Sequence, residues 1–475
     1  MKRLRLCLLA LLTWIPCPLL ADGLPPRVEQ ALKTAGVAPT NVALWVQAVD
    51  ADTPSLSIHA ARPMNPASVL KLVTAFAALE RLGPGFTWKT RVATDGRIRD
   101  GRLAGNLHLI GSGDPLLDIG RLWKLLARLR ASGITQVDGD IVLDGSALRL
   151  PPHDPAAFDN RPLRPYNSGP NGLLLNFNTV QLHLAPGLAA GAPIAVAAVP
   201  ALDGLIIDNR FTTTAGRCGT WFRELDATLA VTPNGPQLTL TGSMPADCGP
   251  RDWSVAPLAS ADFSAALVRW LWRESGGSLS GRVRWGTTPP NASLLFEHIS
   301  PPAAEAVREM NKWSSNVIAT QLLASLALEE PAPLDMITAG ARIAGDTLAA
   351  AGIPTQDLVI ENGSGLSRLA AIRADALGRL LIEAWNKPWM PEFVSSLALA
   401  GIDGTARRRL TDSPAYGRAH IKTGTLNGVR AMAGYVLDRN GRRYAVVMMV
   451  NDATAPLSEA AQDALIEWVW GGAGK

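Results

Sequence analysis

The sequence predicts a mixed α/β (α+β) fold, in which an antiparallel sheet flanked by helices is interrupted by a large β-rich insert. The chain has 475 residues, more than one hydrophobic core usually holds. Helical patterns dominate both ends, whereas short strand-like pieces alternate with Gly and Pro turns between about residues 90 and 255. Near the C-terminus, alternating apolar runs flank Asn440 and Gly441, which is a strong hairpin signal.

These patterns divide the chain into four parts. Residues 1–21 are expected to be a signal peptide, and residues 22–92 the first segment of the main domain. Residues 93–256 form the β-rich inserted region, which is too long for a loop and is expected to contain two subdomains. Residues 257–475 return to the main domain as its second segment.

The N-terminus predicts export. Lys2, Arg3 and Arg5 precede an apolar run over residues 6–20, and Ala21 supplies the small residue typical of a cleavage site. An uncleaved anchor is the alternative, but about 15 apolar residues containing two prolines are short for a membrane span. No later stretch is long and apolar enough to span, so we expect a periplasmic or cell-envelope protein without a transmembrane anchor.

Removal of this segment lowers the net charge of the chain and so changes what that charge implies about binding partners. The whole chain carries a formal net charge of +4, and three of these charges lie in residues 1–21. The mature chain is therefore close to neutral, at about +1, and the sequence does not indicate a nucleic-acid partner.

The cysteines indicate one disulfide and no metal site. Cys7 and Cys17 leave with the signal peptide, so Cys218 and Cys248 remain as a pair in an exported protein. A disulfide closing a loop of about 30 residues is expected, with two buried free thiols as the alternative. No histidines cluster near either cysteine, and no motif for a cofactor occurs in the chain.

The first chemical motif lies on a predicted helix over residues 65–83. Asn65 suits its N-cap, Pro66 its first position and Gly83 its C-terminal stop. Ser68 and Lys71 are spaced i and i+3, so the hydroxyl and the amine share one helix face. Lys71 lies in an apolar run, where desolvation favours the neutral amine that a general base requires. A lysine that extends to solvent is the structural alternative.

Two further motifs follow. Ser314, Ser315 and Asn316 lie between two predicted helices and taken alone fit an ordinary N-cap. Lys422 begins the sequence Lys-Thr-Gly-Thr on a predicted strand, where a lysine at a strand edge is common and Gly424 allows a substrate backbone to approach closely. A substrate along that edge would be bound by strand addition.

The three motifs, Ser-x-x-Lys, Ser-x-Asn and Lys-Thr-Gly, occur in the order found in penicillin-binding proteins and serine β-lactamases. The chain resembles, more closely, the D-alanyl-D-alanine carboxypeptidase/endopeptidase family, the class C low-molecular-mass penicillin-binding proteins. The resemblance extends over nearly the whole mature chain, including its long insert. The stretches that carry it are residues 111–115, 164–178, 300–316, 361–368 and 400–410. Ser315 and Glu361 depart from it, since aspartate is usual at both positions.

The resemblance implies a penicillin-binding/serine β-lactamase-like catalytic domain that acts by acyl transfer. Ser68 would attack the carbonyl between two terminal D-alanines, and Lys71 would take the Ser68 proton. Ser314 would relay a proton to the leaving amine, and Asn316 would hold the substrate amide. The identity of the acylation base is disputed for such sites.

The third motif would bind the end of the substrate. Lys422 would hold its carboxylate, assisted by Thr423 and Thr425, with Gly424 between them. The backbone N–H groups of Ser68 and Thr425 would form the oxyanion hole. The implied partners are peptidoglycan stem peptides ending in D-Ala, with β-lactams as covalent inhibitors. The balance between carboxypeptidase and endopeptidase activity stays open, because both reactions cleave on the carboxyl side of a D-alanine.

Other functions are less well supported by the residues. A β-lactamase needs an additional base for deacylation, and Glu329, Glu330 and Glu361 show no convincing arrangement. The chain contains no Gly-x-Ser-x-Gly for a Ser-His-Asp hydrolase and no His-Glu-x-x-His for a metallopeptidase. A non-enzymatic cell-wall-binding protein is the last alternative, and the intact trio of motifs argues against it.

Overall fold

The computed structural model describes residues 23–331 and 335–473, so the predicted signal peptide lies outside the described residues. The helices are α1 (Pro26–Thr34), α2 (Lys71–Arg81), α3 (Ile119–Ala131), α4 (Ser260–Glu274), α5 (Ala303–Trp313), α6 (Asn316–Ser325), α7 (Met336–Ala350), α8 (Ala374–Asn386), α9 (Met390–Ser396) and α10 (Glu459–Trp470). None of these described helices is both long enough and apolar enough to cross a membrane.

The strands fall into three consecutive groups along the chain, of which the middle group, β4 to β18, pairs apart from the six-stranded sheet. They are β1 (Val42–Ala48), β2 (Leu56–Ile58), β3 (Pro63–Met64), β4 (Lys89–Thr94), β5 (Arg97–Arg99), β6 (Arg102–Ala104), β7 (Leu107–Ile110), β8 (Gln136–Val137), β9 (Ile141–Asp144), β10 (Val180–Ala185), β11 (Ala195–Val199), β12 (Ile206–Thr214), β13 (Leu225–Thr232), β14 (Gly235–Pro245), β15 (Arg251–Val255), β16 (Ser278–Leu279), β17 (Val283–Trp285), β18 (Ser293–Ile299), β19 (Ile372–Arg373), β20 (Ala398–Leu399), β21 (Ala419–Leu426), β22 (Val429–Leu437) and β23 (Arg443–Asn451).

The main domain is built on a six-stranded antiparallel sheet in the order β2-β1-β23-β22-β21-β20. Alternate residues of β1 point to opposite faces, as a strand requires. Val42 and Leu44 join a cluster with α1 and α10, whereas Ala43 and Trp45 join a cluster with α2 and α5 to α8. The prediction of an antiparallel sheet with helices on both faces is confirmed.

The predicted C-terminal hairpin forms the centre of this sheet. Strands β22 and β23 pair from Val429 opposite Asn451 to Leu437 opposite Arg443. In the connecting loop, the Asp438 carboxylate accepts hydrogen bonds from the backbone N–H groups of Asn440 and Arg442, both at 2.8 Å. Because β23 also pairs with β1, the first and last parts of the described chain share one sheet.

The inserted region has its own hydrophobic core. One set of strands forms a five-stranded sheet, β17-β9-β7-β4-β18, and a four-stranded sheet, β16-β8-β6-β5. A second set, β10 to β15, forms two three-stranded sheets. Apolar side chains of both sets meet in one cluster, which also contains Phe263 and Leu267 of α4.

This packing differs from the domain boundary predicted from the sequence. The sequence places the return to the main domain at residue 257, because helical patterns resume there. The side chains of α4 and β17 instead pack in the core of the insert, and β18 pairs with β4. We propose that the insert extends from β4 to β18, residues 89–299.

The two cysteines of the insert are joined. Cys218 and Cys248 form a disulfide with their Cα atoms 4.6 Å apart. The bond links the loop before β13 to the short turn after β14, so it closes the end of that pair of strands. The expected disulfide is therefore present.

Candidate active site

Ser68 lies in a tight turn rather than in a regular α-helix. Residues Ala67–Leu70 form a 3-10 turn, and α2 begins only at Lys71. The α-helix predicted to start at Pro66 therefore starts later. Ala67 has a φ of 46°, in the left-handed region, and the Asn65 side-chain oxygen accepts a hydrogen bond from its N–H at 2.8 Å. The prediction that Asn65 is the N-cap of this α-helix is therefore wrong, because the helix begins later and Asn65 instead bonds within the turn before it.

The Lys71 amine contacts Ser68 as the spacing predicted. Lys71 is fully buried. Its Nζ donates to Ser68 Oγ at 3.1 Å, Asn316 Oδ1 at 2.7 Å and the Ser364 carbonyl at 2.6 Å. All three acceptors are neutral, so no negative charge offsets the cost of burying an ammonium here. Burial, and then the positive charge of Lys422, lower the pKa of Lys71 well below its usual value.

The second motif lies between α5 and α6. Ser314 ends α5 with a φ of 58°, and the hydroxyl of Ser315 accepts a hydrogen bond from the Ile318 N–H at 3.4 Å to cap α6. The N-cap interpretation is therefore correct for Ser315. The sharp turn at Ser314 directs the side chain of Ser314 to Lys422 and that of Asn316 to Lys71.

Asn316 connects the main domain to the insert. Its Oδ1 accepts from Lys71 Nζ, and its Nδ2 donates to the Tyr166 carbonyl at 3.0 Å. Both polar atoms of the side-chain amide thus have partners within the chain. This arrangement fixes which way the amide points, because the oxygen faces a donor and the nitrogen an acceptor.

The third motif lies on β21, which pairs with β22 along its length but with β20 only at His420 and Ile421, so within the described chain residues 422–426 have no strand partner on that other side. Lys422 is fully buried, and its Nζ donates to Ser314 Oγ at 2.8 Å and to the Thr423 carbonyl at 2.7 Å. Burial lowers the pKa of Lys422 to about 7. Because Lys422 in turn affects the pKa of Lys71, the two amines lie within electrostatic reach of each other.

Gly424 brings β21 against the Ser68 turn. A Cβ at this position would lie 2.6 Å from the Pro66 carbonyl oxygen and 2.9 Å from the Ser68 nitrogen. Such distances are too short for any side chain. The sequence predicted that this glycine admits a substrate backbone, whereas in the structure its missing side chain admits the turn that carries Ser68.

The two threonines are held by neighbours that the motifs did not include. The Thr423 hydroxyl lies 3.1 Å from that of Thr405, and the Thr425 hydroxyl accepts from Arg430 Nη1 at 3.0 Å. Arg430 is opposite Thr425 on β22 and also pairs with Glu459 at the start of α10. The hydroxyls of the third motif are therefore oriented by the loop before β21 and by the adjacent strand.

Sequence reasoning missed two carbonyl groups of the site. The Ser364 carbonyl accepts from Lys71, and the Tyr166 carbonyl accepts from Asn316. Backbone carbonyls carry no residue signature, so only their surroundings could have indicated them. Ser364 lies between Gly363 and Gly365, which have φ values of 69° and 76°, and such a Gly-Ser-Gly turn is a signal for close approach of the backbone.

The residues considered for other chemistries are engaged elsewhere. The Glu361 carboxylate accepts a hydrogen bond from Ser367, and Glu330 pairs with Arg342 at 3.1 Å. Within residues 23–331 and 335–473, His, Cys, Asp and Glu form no group that could hold a metal ion. The structure thus gathers Ser68, Lys71, Ser314, Asn316 and Lys422 at one place, with β21 beside them.

This arrangement suits acyl transfer. A hydroxyl lies in hydrogen-bond contact with an amine whose pKa is lowered, which is how an enzyme activates a serine without histidine. A second lysine, bonded to a second serine hydroxyl, supplies a cation for an anionic substrate group. The backbone of β21 lies against the nucleophile turn, where N–H groups can stabilise an oxyanion.

Sequence comparison gives a family match over almost all of the described chain. The model of the D-Ala-D-Ala carboxypeptidase 3 (S13) family matches residues 26–470. The D-alanyl-D-alanine carboxypeptidase of Actinomadura sp. (strain R39) is 32% identical over 423 residues, which is 84% of this chain and 76% of the relative.

Structural comparison agrees with this match. Penicillin binding protein 4 (dacB) from Haemophilus influenzae superposes with a TM-score of 0.75 at 24% identity, over 93% of this chain and 99% of that protein. Its complex with a β-lactam superposes with a TM-score of 0.71, also at 24% identity, over 95% and 100% of the two chains. The predatory endopeptidase Bd0816 from Bdellovibrio bacteriovorus has a TM-score of 0.53 at 15% identity, over 90% of each chain.

Proposed function

This chain belongs to the D-Ala-D-Ala carboxypeptidase 3 (S13) family of serine peptidases, and on that premise we propose that it hydrolyses D-Ala-terminated peptidoglycan peptides through an acyl-enzyme at Ser68. The observation that carries this proposal is the contact of 3.1 Å between the Nζ of the fully buried Lys71 and the Oγ of Ser68, which is itself partly exposed. Lys71 has a lowered pKa because it is buried and lies near the positive charge of Lys422, and it is the described lysine that donates to Ser68.

In the acylation step, neutral Lys71 takes the Ser68 proton while Oγ bonds to the carbonyl carbon of the penultimate D-alanine. The negative charge that develops on the carbonyl oxygen is stabilised by the backbone N–H groups of Ser68 and Thr425. Ser314 then relays the proton held by Lys71 to the departing amine, the C–N bond breaks, and Lys71 is neutral again. In the second step water attacks the ester while Lys71 takes a proton from it, and the bond to Ser68 Oγ breaks as that proton returns to the hydroxyl.

Binding of the substrate depends on charge. Lys422 would pair with the carboxylate of the terminal D-alanine, and the hydroxyls of Thr423 and Thr425 would donate to the same group. Asn316 would orient the substrate amide from the opposite side. We place these residues at the site because Lys422 contacts Ser314, and Asn316 contacts Lys71.

Endopeptidase activity on cross-linked peptides belongs to the same proposal. A cross-link and a terminal D-Ala-D-Ala bond both place the scissile amide on the carboxyl side of a D-alanine, so the same groups serve either reaction. Incubation with purified muropeptides measures both activities. Release of D-alanine from pentapeptides is expected for the first, and splitting of cross-linked dimers for the second, and if neither product forms the proposed function is refuted.

β-Lactams should acylate the same hydroxyl. Fluorescent penicillin is expected to label the wild-type protein covalently and not to label Ser68→Ala, because no other nucleophile is positioned beside Lys71. Ser395→Ala, on the exposed end of α9, is the matched control and should label normally. Labelling of Ser68→Ala at the wild-type level would refute the assignment of the nucleophile.

The proposed place of action is the cell envelope. The predicted signal peptide over residues 1–21 supports export, and a disulfide is typical of proteins that fold in oxidising compartments. N-terminal sequencing of the protein recovered from the envelope should begin near residue 22.

A further inference from the structure

A second cleft lies in the inserted region, apart from the three motifs. It has a volume of about 1020 Å³ and is bounded by residues 153–170, β13 and β15. Leu225, Trp253 and Val255 give it an apolar lining. A volume of this size is that of a ligand site, large enough for a peptide segment of several residues.

The cleft is strongly basic. Arg161, Arg164 and Arg223 line it, against a single acidic residue, Asp226. Arg164 lies over the Trp253 ring at 5.7 Å from its centroid. Within the two described ranges, none of the three guanidinium groups forms an ion pair with a carboxylate. Three guanidinium groups without a carboxylate partner, around an apolar surface, are complementary to carboxylates on a peptide.

The cleft also contains polar atoms that lack partners. Asn178 is only 6% exposed, and its Nδ2 donates to the Leu258 carbonyl at 3.1 Å. Its Oδ1 and the Ser168 hydroxyl have no hydrogen-bond partner within the described part of the chain. Both residues line the cleft. A buried acceptor without a partner is costly, and a peptide N–H would satisfy it.

One wall of the cleft is shared with the Ser68 site. Arg161 and Ser168 face the cleft, and between them the Tyr166 carbonyl accepts the hydrogen bond from Asn316. The Tyr166 hydroxyl in turn donates to Asp159 at 2.8 Å, which holds this segment together. A polymer that carries several peptides could therefore occupy both places at once.

We propose that this cleft binds an acidic peptide, namely a carboxylate-bearing stem peptide of the same polymer whose D-Ala terminus reacts at Ser68. The inference rests on the proposed function, since it names a second contact of the enzyme with that substrate. The arginines would bind the free carboxylates of the stem, and Asn178 and Ser168 would bind its amides. The cleft would thus favour polymeric peptidoglycan over short peptides.

The test compares two substrates. In Arg161→Gln/Arg164→Gln/Arg223→Gln, binding to purified sacculi in a sedimentation assay should weaken about tenfold, as three partly exposed ion pairs together predict. The rate of D-alanine release from a short D-Ala-D-Ala peptide should stay within about twofold of wild type, because the Ser68 contacts are intact. Wild type should also bind weakly to sacculi whose carboxylates have been amidated. Its affinity for them should equal that of the triple variant for untreated sacculi.

The control removes the same number of positive charges from the insert, at positions outside the cleft. Arg97→Gln/Arg99→Gln/Arg217→Gln removes three exposed arginines outside the cleft and should bind sacculi as wild type does. Equal binding by the two triple variants would overturn the proposal, as would undiminished binding of amidated sacculi. Failure of wild type to hydrolyse the short peptide would instead refute the function proposed for Ser68.

Discussion

Two buried amines, Lys71 and Lys422, approach the reacting serines from different elements. Among the described residues, neither has a carboxylate partner, and each donates only to neutral oxygens. Burial lowers the pKa of both amines, and the positive charge of Lys422 lowers that of Lys71 further. The mechanism that we propose nevertheless requires opposite states, a neutral Lys71 as base and a charged Lys422 as carboxylate-binding group.

This requirement predicts the pH dependence of acylation. A lysine is charged below its pKa, so Lys422, with a pKa of about 7, binds a carboxylate below that pH and releases it above. The second-order rate of acylation by benzylpenicillin should therefore fall above about pH 7, by about tenfold per pH unit. On the acid side the rate should rise with pH as Lys71 loses its proton. Stopped-flow measurement between pH 5 and pH 9 would give both limbs.

A penicillin ester provides the control for this prediction. Without its carboxylate the ester should react more slowly and should lack the alkaline fall, because Lys422 no longer has a charge to pair with. An equal fall for the acid and the ester would contradict the role assigned to Lys422.

At the residue scale, the sequence was informative wherever a side chain carries the chemistry. Ser68, Lys71 and Lys422 have rare combinations of residue type and spacing, and the structure brings them together. The carbonyls of Ser364 and Tyr166 could not be predicted, because every residue has such a group and only the fold decides which one faces an amine.

Among the elements, β21 decides how closely the third motif approaches the nucleophile. In Gly424→Ala the new methyl group would overlap the Pro66 carbonyl and the Ser68 nitrogen, so the strand or the turn must move. We expect a stability loss of about 1–3 kcal/mol. Penicillin acylation should fall about a hundredfold, since a displacement near 1 Å costs that much.

The matched control is Gly345→Ala. Gly345 lies within α7, and a Cβ there would contact nothing within 4 Å. Alanine should therefore leave acylation unchanged and stabilise the helix by about 1 kcal/mol. Wild-type acylation rates in Gly424→Ala would show that the close approach of β21 is unimportant.

The start of α2 shows why element boundaries were harder to predict than elements. Asn65 and Pro66 are good helix-start residues, and the helix exists, but a 3-10 turn precedes it. The turn is held by distant residues. Asn451 Oδ1 accepts from the Asn65 N–H at 2.8 Å, and Gly365 comes so close that a Cβ would lie 1.9 Å from the Ala67 oxygen. The helix propensity of the residues near Ser68 does not depend on such distant contacts, so it could not predict this turn.

For the whole molecule, the disulfide predicts a separation of stability from activity. Cys218→Ser/Cys248→Ser should lower the free energy of unfolding of the insert by about 3–4 kcal/mol, because a loop of about 30 residues is no longer closed in the unfolded state. Penicillin acylation at 25 °C should remain, since the bond lies outside the catalytic domain. Calorimetry and labelling of the same sample measure the two effects.

Reduction of the wild-type protein is the control and should reproduce the shift. Loss of labelling in the double variant while the insert remains folded would contradict the separation.

The sequence predicts the overall architecture more fully than it predicts the residues at which the insert begins and ends. The change from helical to strand-like texture predicts an insert between Ser68 and Ser314, and the strands β4 to β18 lie in that interval. It could not show that α4 packs with that insert, because the apolar pattern of a helix does not depend on which hydrophobic core the helix packs against. Phe263 and Leu267 pack with the strands of the insert, and only tertiary packing reveals this.

The order of the strands in the main sheet has a consequence for biosynthesis. Val42 of β1 pairs with Val450 of β23, so this edge of β1 stays unpaired during translation until that distant segment has been made. Ser68 and Lys71 therefore exist as a peptide segment long before β21 (Ala419–Leu426), the strand that they face, has emerged. Contacts of such long sequence separation form slowly. A polypeptide that ended before β21 would thus carry Ser68 and Lys71 without Lys422 and the strand that surrounds them.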